Sequence, residues 1–460
     1  MPRRNPASTL VLVALCTAAL LAPGDTRAAS TAKKTLPRTH DPVILEGSDL
    51  PDLTGRSLDR VRMYALRKGK AVAIPFQIDE RYETGGLVMV ATDDDDSSSE
   101  EEDQPGIDAN DELVFMAMDT GDRAERADLP QDADIIVEIE VTAPDAESHA
   151  WAYVLHFPGT VPVPSKMQYV RFDAATNQAH SDLYTVDYHD TGNFFTSLRI
   201  APEAGGSGAN LVHRTRMRGA PTFSFFFGKF SLEFTEEDSM MELSGVKNGP
   251  VRATRQVDLS VDLGALFPEL PSGRVETHHF RSSFVTPAKV SIPWVVLNLA
   301  SDFSFVTLTD FREVADGTKY FDANHPDGLA FEGEPELVLT SDDHDWWVTT
   351  GSGGSFLQAF ITPDAWQEWG VRRGTVFVDE DPGTPERPQT AGKHAAGFTL
   401  IDVEDIPEAG DYTLHMFTAV LEQPYKPGDE TLPMAMMHQP LQTTVRSIDR
   451  PEPVASRSPQ

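Results

Sequence analysis

Short runs of alternating apolar and polar residues, closed by turn-forming residues, recur from Val43 to Leu421, and this rhythm admits few architectures. Val61-Arg-Met-Tyr-Ala-Leu-Arg-Lys-Gly-Lys-Ala-Val-Ala-Ile-Pro-Phe76 alternates, turns at Lys-Gly-Lys and alternates again, which predicts a hairpin. Residues 113–118 form the next strand, and 135–141 and 150–157 pair across 144–148. An aromatic alternation over 222–234 carries Gly228 as a bulge or bend. Asn248-Gly249 is a strong hairpin signal. Further strands are expected at 277–285, 303–309, 336–340, 346–349, 356–361, 398–402 and 412–421. The clearest helical stretch is 362–370, with Thr362 as cap, Pro363 at the first helical position and Gly370 as stop. Many short strands with few helices predict an all-β protein of packed β-sandwiches or a supersandwich. No internal period signals a solenoid or propeller.

The ends set the expected boundaries. Arg3 and Arg4 precede an apolar run from Thr9 to Ala22, and small residues surround Ala28, so residues 1–28 read as a secretory signal peptide. A lipoprotein reading would use Cys16, but bulky Leu15 precedes it. Cys16 is the one cysteine of 460 residues, so a chain cleaved after Ala28 has no disulfide and no thiolate chemistry. Residues 29–160 are expected to form an N-terminal sandwich with an acidic loop over 93–112, and 161–448 a larger C-terminal one. Residues 449–460 are expected to be a disordered tail. The formal charge of −34 argues against nucleic acid and anionic lipid as partners. No run after the leader is long and apolar enough to span a bilayer. The expected location is periplasmic or extracellular.

The stretch 73–122 is dense in carboxylates. The block 93–103 has eight of them in eleven positions and reads as a solvated loop or a weak cation sponge. Asp108-Ala-Asn-Asp-Glu112 is sharper. Asp108 and Asn110 alternate as in oxygen-donor calcium loops, and Asp111 or Glu112 completes the shell; the alternative is a polar turn with an Asx cap. An EF-hand is rejected, because its glycine and twelfth-position glutamate are missing. Asp322, Asn324 and Asp327 repeat the choice between cation ligands and a plain Asx-Pro-Gly loop.

Ile74-Pro-Phe-Gln-Ile-Asp-Glu, Asn110-Asp-Glu-Leu-Val-Phe and Asn248-Gly-Pro-Val-Arg resemble wording of secreted galactose-mutarotase-like β-sandwich proteins, which include polysaccharide lyases and glycosidases. The resemblance covers about 25 residues. It implies carbohydrate as the first substrate class and assigns no catalytic residue.

The residues themselves point to Ser341-Asp-Asp-His-Asp-Trp-Trp347 as the functional surface. Asp342, Asp343, His344 and Asp345 are the candidate acid/base groups, and Trp346 and Trp347 the candidate sugar platforms. Adjacent strand residues face opposite ways, so one indole should be core and the other a platform. His279 is a further acid/base candidate, with His278 sharing a face with Glu276. Met434-Ala-Met-Met-His438 reads as a core strand, with copper as the alternative. The function expected is binding, and in an enzymatic version cleavage, of a glycan, with calcium as a structural ion. The alternative is a non-enzymatic envelope protein that uses the same sheets for adhesion or assembly.

Overall fold

The computed structural model describes residues 32–82, 85–91, 106–144, 147–189, 194–225, 228–231, 233–261, 270–292, 300–312, 317–332, 336–340, 344–379, 394–401, 403 and 408–448. The leader, the acidic block 93–103, Asp342, Asp343 and the tail 449–460 lie outside these residues. The protein is all-β, and its described residues form five antiparallel sheets.

The first hairpin joins Val61–Arg67 to Lys70–Ala73. Lys68 and Gly69 both have positive φ (51° and 73°), the two-residue turn whose twist suits adjoining antiparallel strands. These strands belong to a five-stranded sheet in the order Gln442–Ser447, Ile135–Thr142, His149–His156, Val61–Arg67, Lys70–Ala73. Its outermost strand therefore comes from the far end of the chain. A three-stranded sheet, Pro42–Glu46, Glu112–Met116, Gln77–Asp79, packs on it. Alternation in Glu112–Met116 serves two cores. Leu113 and Phe115 face Val61, Met63, Val137 and Ile139, whereas Val114 and Met116 face Tyr169, Val251 and Phe280.

The centre is a ten-stranded sheet that includes Trp346–Gly351, Gly354–Ile361, Gly410–Leu421, Ser283–Ile292, Leu270–His279, Ala253–Val261 and Ser239–Asn248 in that order. One face packs on the seven- and four-stranded sheets around Trp347, Phe356, Phe360 and Phe398. The other is covered by the helix Thr431–His438 and, further along, by Glu112–Met116.

Four local expectations change. Residues 277–285 are two strands, Leu270–His279 and Ser283–Ile292, with a turn between them closed by Phe280 N–H donating to Ser283 O. Gly228 pairs with Phe225 at the end of the strand pair, so it is not a mid-strand bulge. The short helix is Asp364–Glu368, with Pro363 before it; Thr362 does not cap it, and its buried hydroxyl has no hydrogen-bond partner. Residues 431–438 are helix where 434–438 was read as strand. Pro433 is tolerated in a first turn, and Leu, Met and Ala favour helix.

Candidate functional site

Three segments far apart in sequence, 74–80, 110–115 and 248–252, meet at one buried node. Gln77 Oε1 accepts the N–H groups of Val251 and Arg252, at 3.0 and 2.8 Å. Its amide donates to both oxygens of Asp79. Arg252, fully buried, reaches Asp79 at 2.5 Å and Glu112 at 2.6 Å. Burial disfavours its charge, but the two carboxylates outweigh burial and raise its pKa. Arg81 adds a second cation on Glu112 at 2.5 Å. The node is a satisfied ion network that fastens the three-stranded sheet to the ten-stranded one.

It also redirects the residues expected to hold calcium. Glu112 is shared by two arginines. Asp108 Oδ1 accepts the Asn110 N–H, Asp111 Oδ2 accepts the Asp108 N–H, and the Asn110 amide donates to Arg81 O. This is the Asx-turn arrangement. Asp111 Oδ1 is buried without a hydrogen-bond partner, and burial raises the carboxyl to about 6. Among the described residues no group of three or more His, Cys, Asp or Glu is arranged to hold a metal ion. Asp322 ends the strand Lys319–Asp322 and accepts the N–H groups of Asn324 and His325 in the turn that follows. Burial opposes its charge, but Thr375, Tyr320 and His325 donate to it and hold its pKa below the usual range.

The two histidines split as the strand period requires. His279 is fully enclosed, its ring nitrogens at 3.3 and 2.9 Å from the Tyr184 and Tyr188 hydroxyls, and burial followed by the Arg255 charge lowers it to about 3. That enclosure suits a packing role. His278 points to the opposite face, 3.6 Å from Glu276 and 3.1 Å from Thr254 Oγ1; burial, then Arg252 and Arg81, push it well below its ordinary value.

Of residues 341–347, the structure describes 344–347. Asp345 Oδ2 lies 2.5 Å from His438 Nε2 and 3.5 Å from Arg373 Nη1. The hydrogen bond that His438 donates to Asp345 raises the histidine above its ordinary value, against the effect of burial. His344 N–H donates to Arg373 O, and its buried Nε2 has no partner. Trp346 is half-buried on the face that packs against the C-terminal helix, and Trp347 is 0 % exposed among Tyr320, Phe311, Phe356 and Phe398. One indole is core and its neighbour is not, as alternation requires. The sequence reading missed His438 and Arg373 as members. The available signal was Pro433 with Ala435, Met436 and Met437, a helix that carries its histidine at the last turn.

No protein-family model and no curated protein matches the chain. Two solved structures from Enterococcus faecalis are similar in outline. One is a protein in glycosyl hydrolase family 38, with a TM-score of 0.41, 11% identity, and coverage of 91% of this chain and 46% of that one. The other is an alpha-mannosidase, with a TM-score of 0.40, 11% identity, and coverage of 91% and 45%. The chain spans under half the length of either.

Proposed function

We propose that the protein is exported from the cytoplasm and binds a glycan where Trp346, Asp345, Arg373 and His438 converge. The observation that carries this reading is the Asp345–His438 pair at 2.5 Å, next in sequence to a half-buried indole. A pyranose offers an apolar C–H face to an indole and hydroxyls to charged partners, and this corner supplies both. Hydrolysis by paired carboxylates needs a second one beside Asp345, and Asp342 and Asp343 are the residues proposed for it. Titrating a panel of neutral and acidic polysaccharides against wild type, Trp346→Ala and His438→Gln tests the reading. Binding by wild type that both substitutions weaken supports it. No binding by folded wild type shifts the reading to a non-enzymatic envelope protein.

Calcium enters the proposal at Asp111, whose unsatisfied oxygen a cation would satisfy. Millimolar Ca²⁺ should then raise the melting temperature of wild type and not of Asp111→Asn, by linkage to the folded state. Equal melting curves in chelator and in Ca²⁺ would remove the ion from the proposal.

A further inference from the structure

Between the C-terminal helix and the strand Pro42–Glu46 lies an apolar pocket of about 200 Å³. Its floor is the ten-stranded sheet, with Phe417 and Val285 paired across two strands. Met436 and Met437 form the wall on the helix side, and Val43 and Ile44 the wall on the N-terminal side. Ile44 is 43 % exposed, so this side opens to solvent.

Two polar groups interrupt this lining. Ser283 is 1 % exposed, and its hydroxyl is buried with no hydrogen-bond partner. It stands two residues from Val285 on the same strand, hence on the same face, toward the pocket. Asp41, also buried, lines the pocket while pairing with Arg38. A buried hydroxyl without a partner is destabilising, and a ligand hydroxyl would satisfy it. For scale, an apolar cavity of ~150 Å³ holds benzene. The thioether side chains on the wall adapt readily to such a guest.

We infer that this pocket binds a small apolar alcohol or phenol, one ring or a short chain in size, with its hydroxyl on Ser283. The pocket shares the helix Thr431–His438 with the Asp345–His438 corner, but none of its lining residues is one of that corner's four, and its test does not depend on glycan binding. The ligand would bridge the helix and the N-terminal sheet, because the pocket walls come from both.

Calorimetric titration of the full chain with benzyl alcohol, with toluene as the apolar control, tests the inference. Saturable 1:1 binding of benzyl alcohol is expected. Ser283→Ala should weaken it by about tenfold at most, the worth of one hydrogen bond, and leave toluene within about twofold. Met437→Trp should abolish binding by filling the pocket. Ile44→Trp, at the exposed rim, provides a second block that leaves the helix packing alone. The inference is overturned if benzyl alcohol shows no saturable binding, or if both folded tryptophan variants bind as wild type does. Equal losses for benzyl alcohol and toluene in Ser283→Ala would overturn the role of the hydroxyl.

Discussion

At the scale of single residues, His438 is the clearest titrating group. Its folded pKa is raised by the hydrogen bond to Asp345. The stabilisation it contributes is therefore complete below the unfolded value, about 6.5, and is lost as pH rises through the folded value. Thermal melting from pH 6 to 9 should show a loss of stability in wild type that His438→Gln lacks. The adjacent tryptophans make a second test. Trp347→Ala should cost about 3–5 kcal/mol by opening a cavity, read by urea unfolding, whereas Trp346→Ala should cost clearly less. That one of the two would be core was legible from the strand period alone. That Asp345 would meet His438 was not, because the partners are 93 positions apart and neither segment encodes the other.

At the scale of elements, the turn after Ser239–Asn248 shows what a local motif can and cannot reveal. Asn248-Gly249 announced a hairpin, and the strands close at Asn248 and Ala253. Nothing local announced that Gln77 packs into that turn. A methyl group on Gly249 would lie 2.0 Å from Gln77 Oε1. Gln77 is buried and has nowhere to withdraw, so Gly249→Ala should destabilise the fold by about 1–3 kcal/mol. Arg252→Met should cost more, about 3–5 kcal/mol, because the buried Asp79 loses the guanidinium paired with it. Adding Asp79→Asn to Arg252→Met should recover part of that loss, a pattern that denaturant midpoints of the three variants would reveal. The helix Thr431–His438 was misread for a related reason. Met and Leu suit either a buried strand or a helix, and the sheet face that decides between them is built from strands earlier in the chain.

At the scale of the molecule, the all-β architecture was legible because alternation is a local property repeated along the chain. The pairing of sheets was not. Gln442–Ser447 pairs with Ile135–Thr142, from Gln442 opposite Thr142 to Ser447 opposite Val137. Truncation after Pro440 should therefore bare the edge of the five-stranded sheet. The expected result is a lower melting temperature and self-association in size-exclusion chromatography; an unchanged monomer would argue that the last strand is dispensable. The same pairing sets an order in time. During synthesis the strand Ile135–Thr142 leaves the ribosome about 300 residues before its neighbour exists. Such a delay keeps one edge open for tens of seconds at ordinary translation rates. Contacts of this sequence separation also form slowly in refolding. Full-length chains diluted from denaturant should add Gln442–Ser447 to the five-stranded sheet late, and a chain still lacking that strand should need shielding at the open edge.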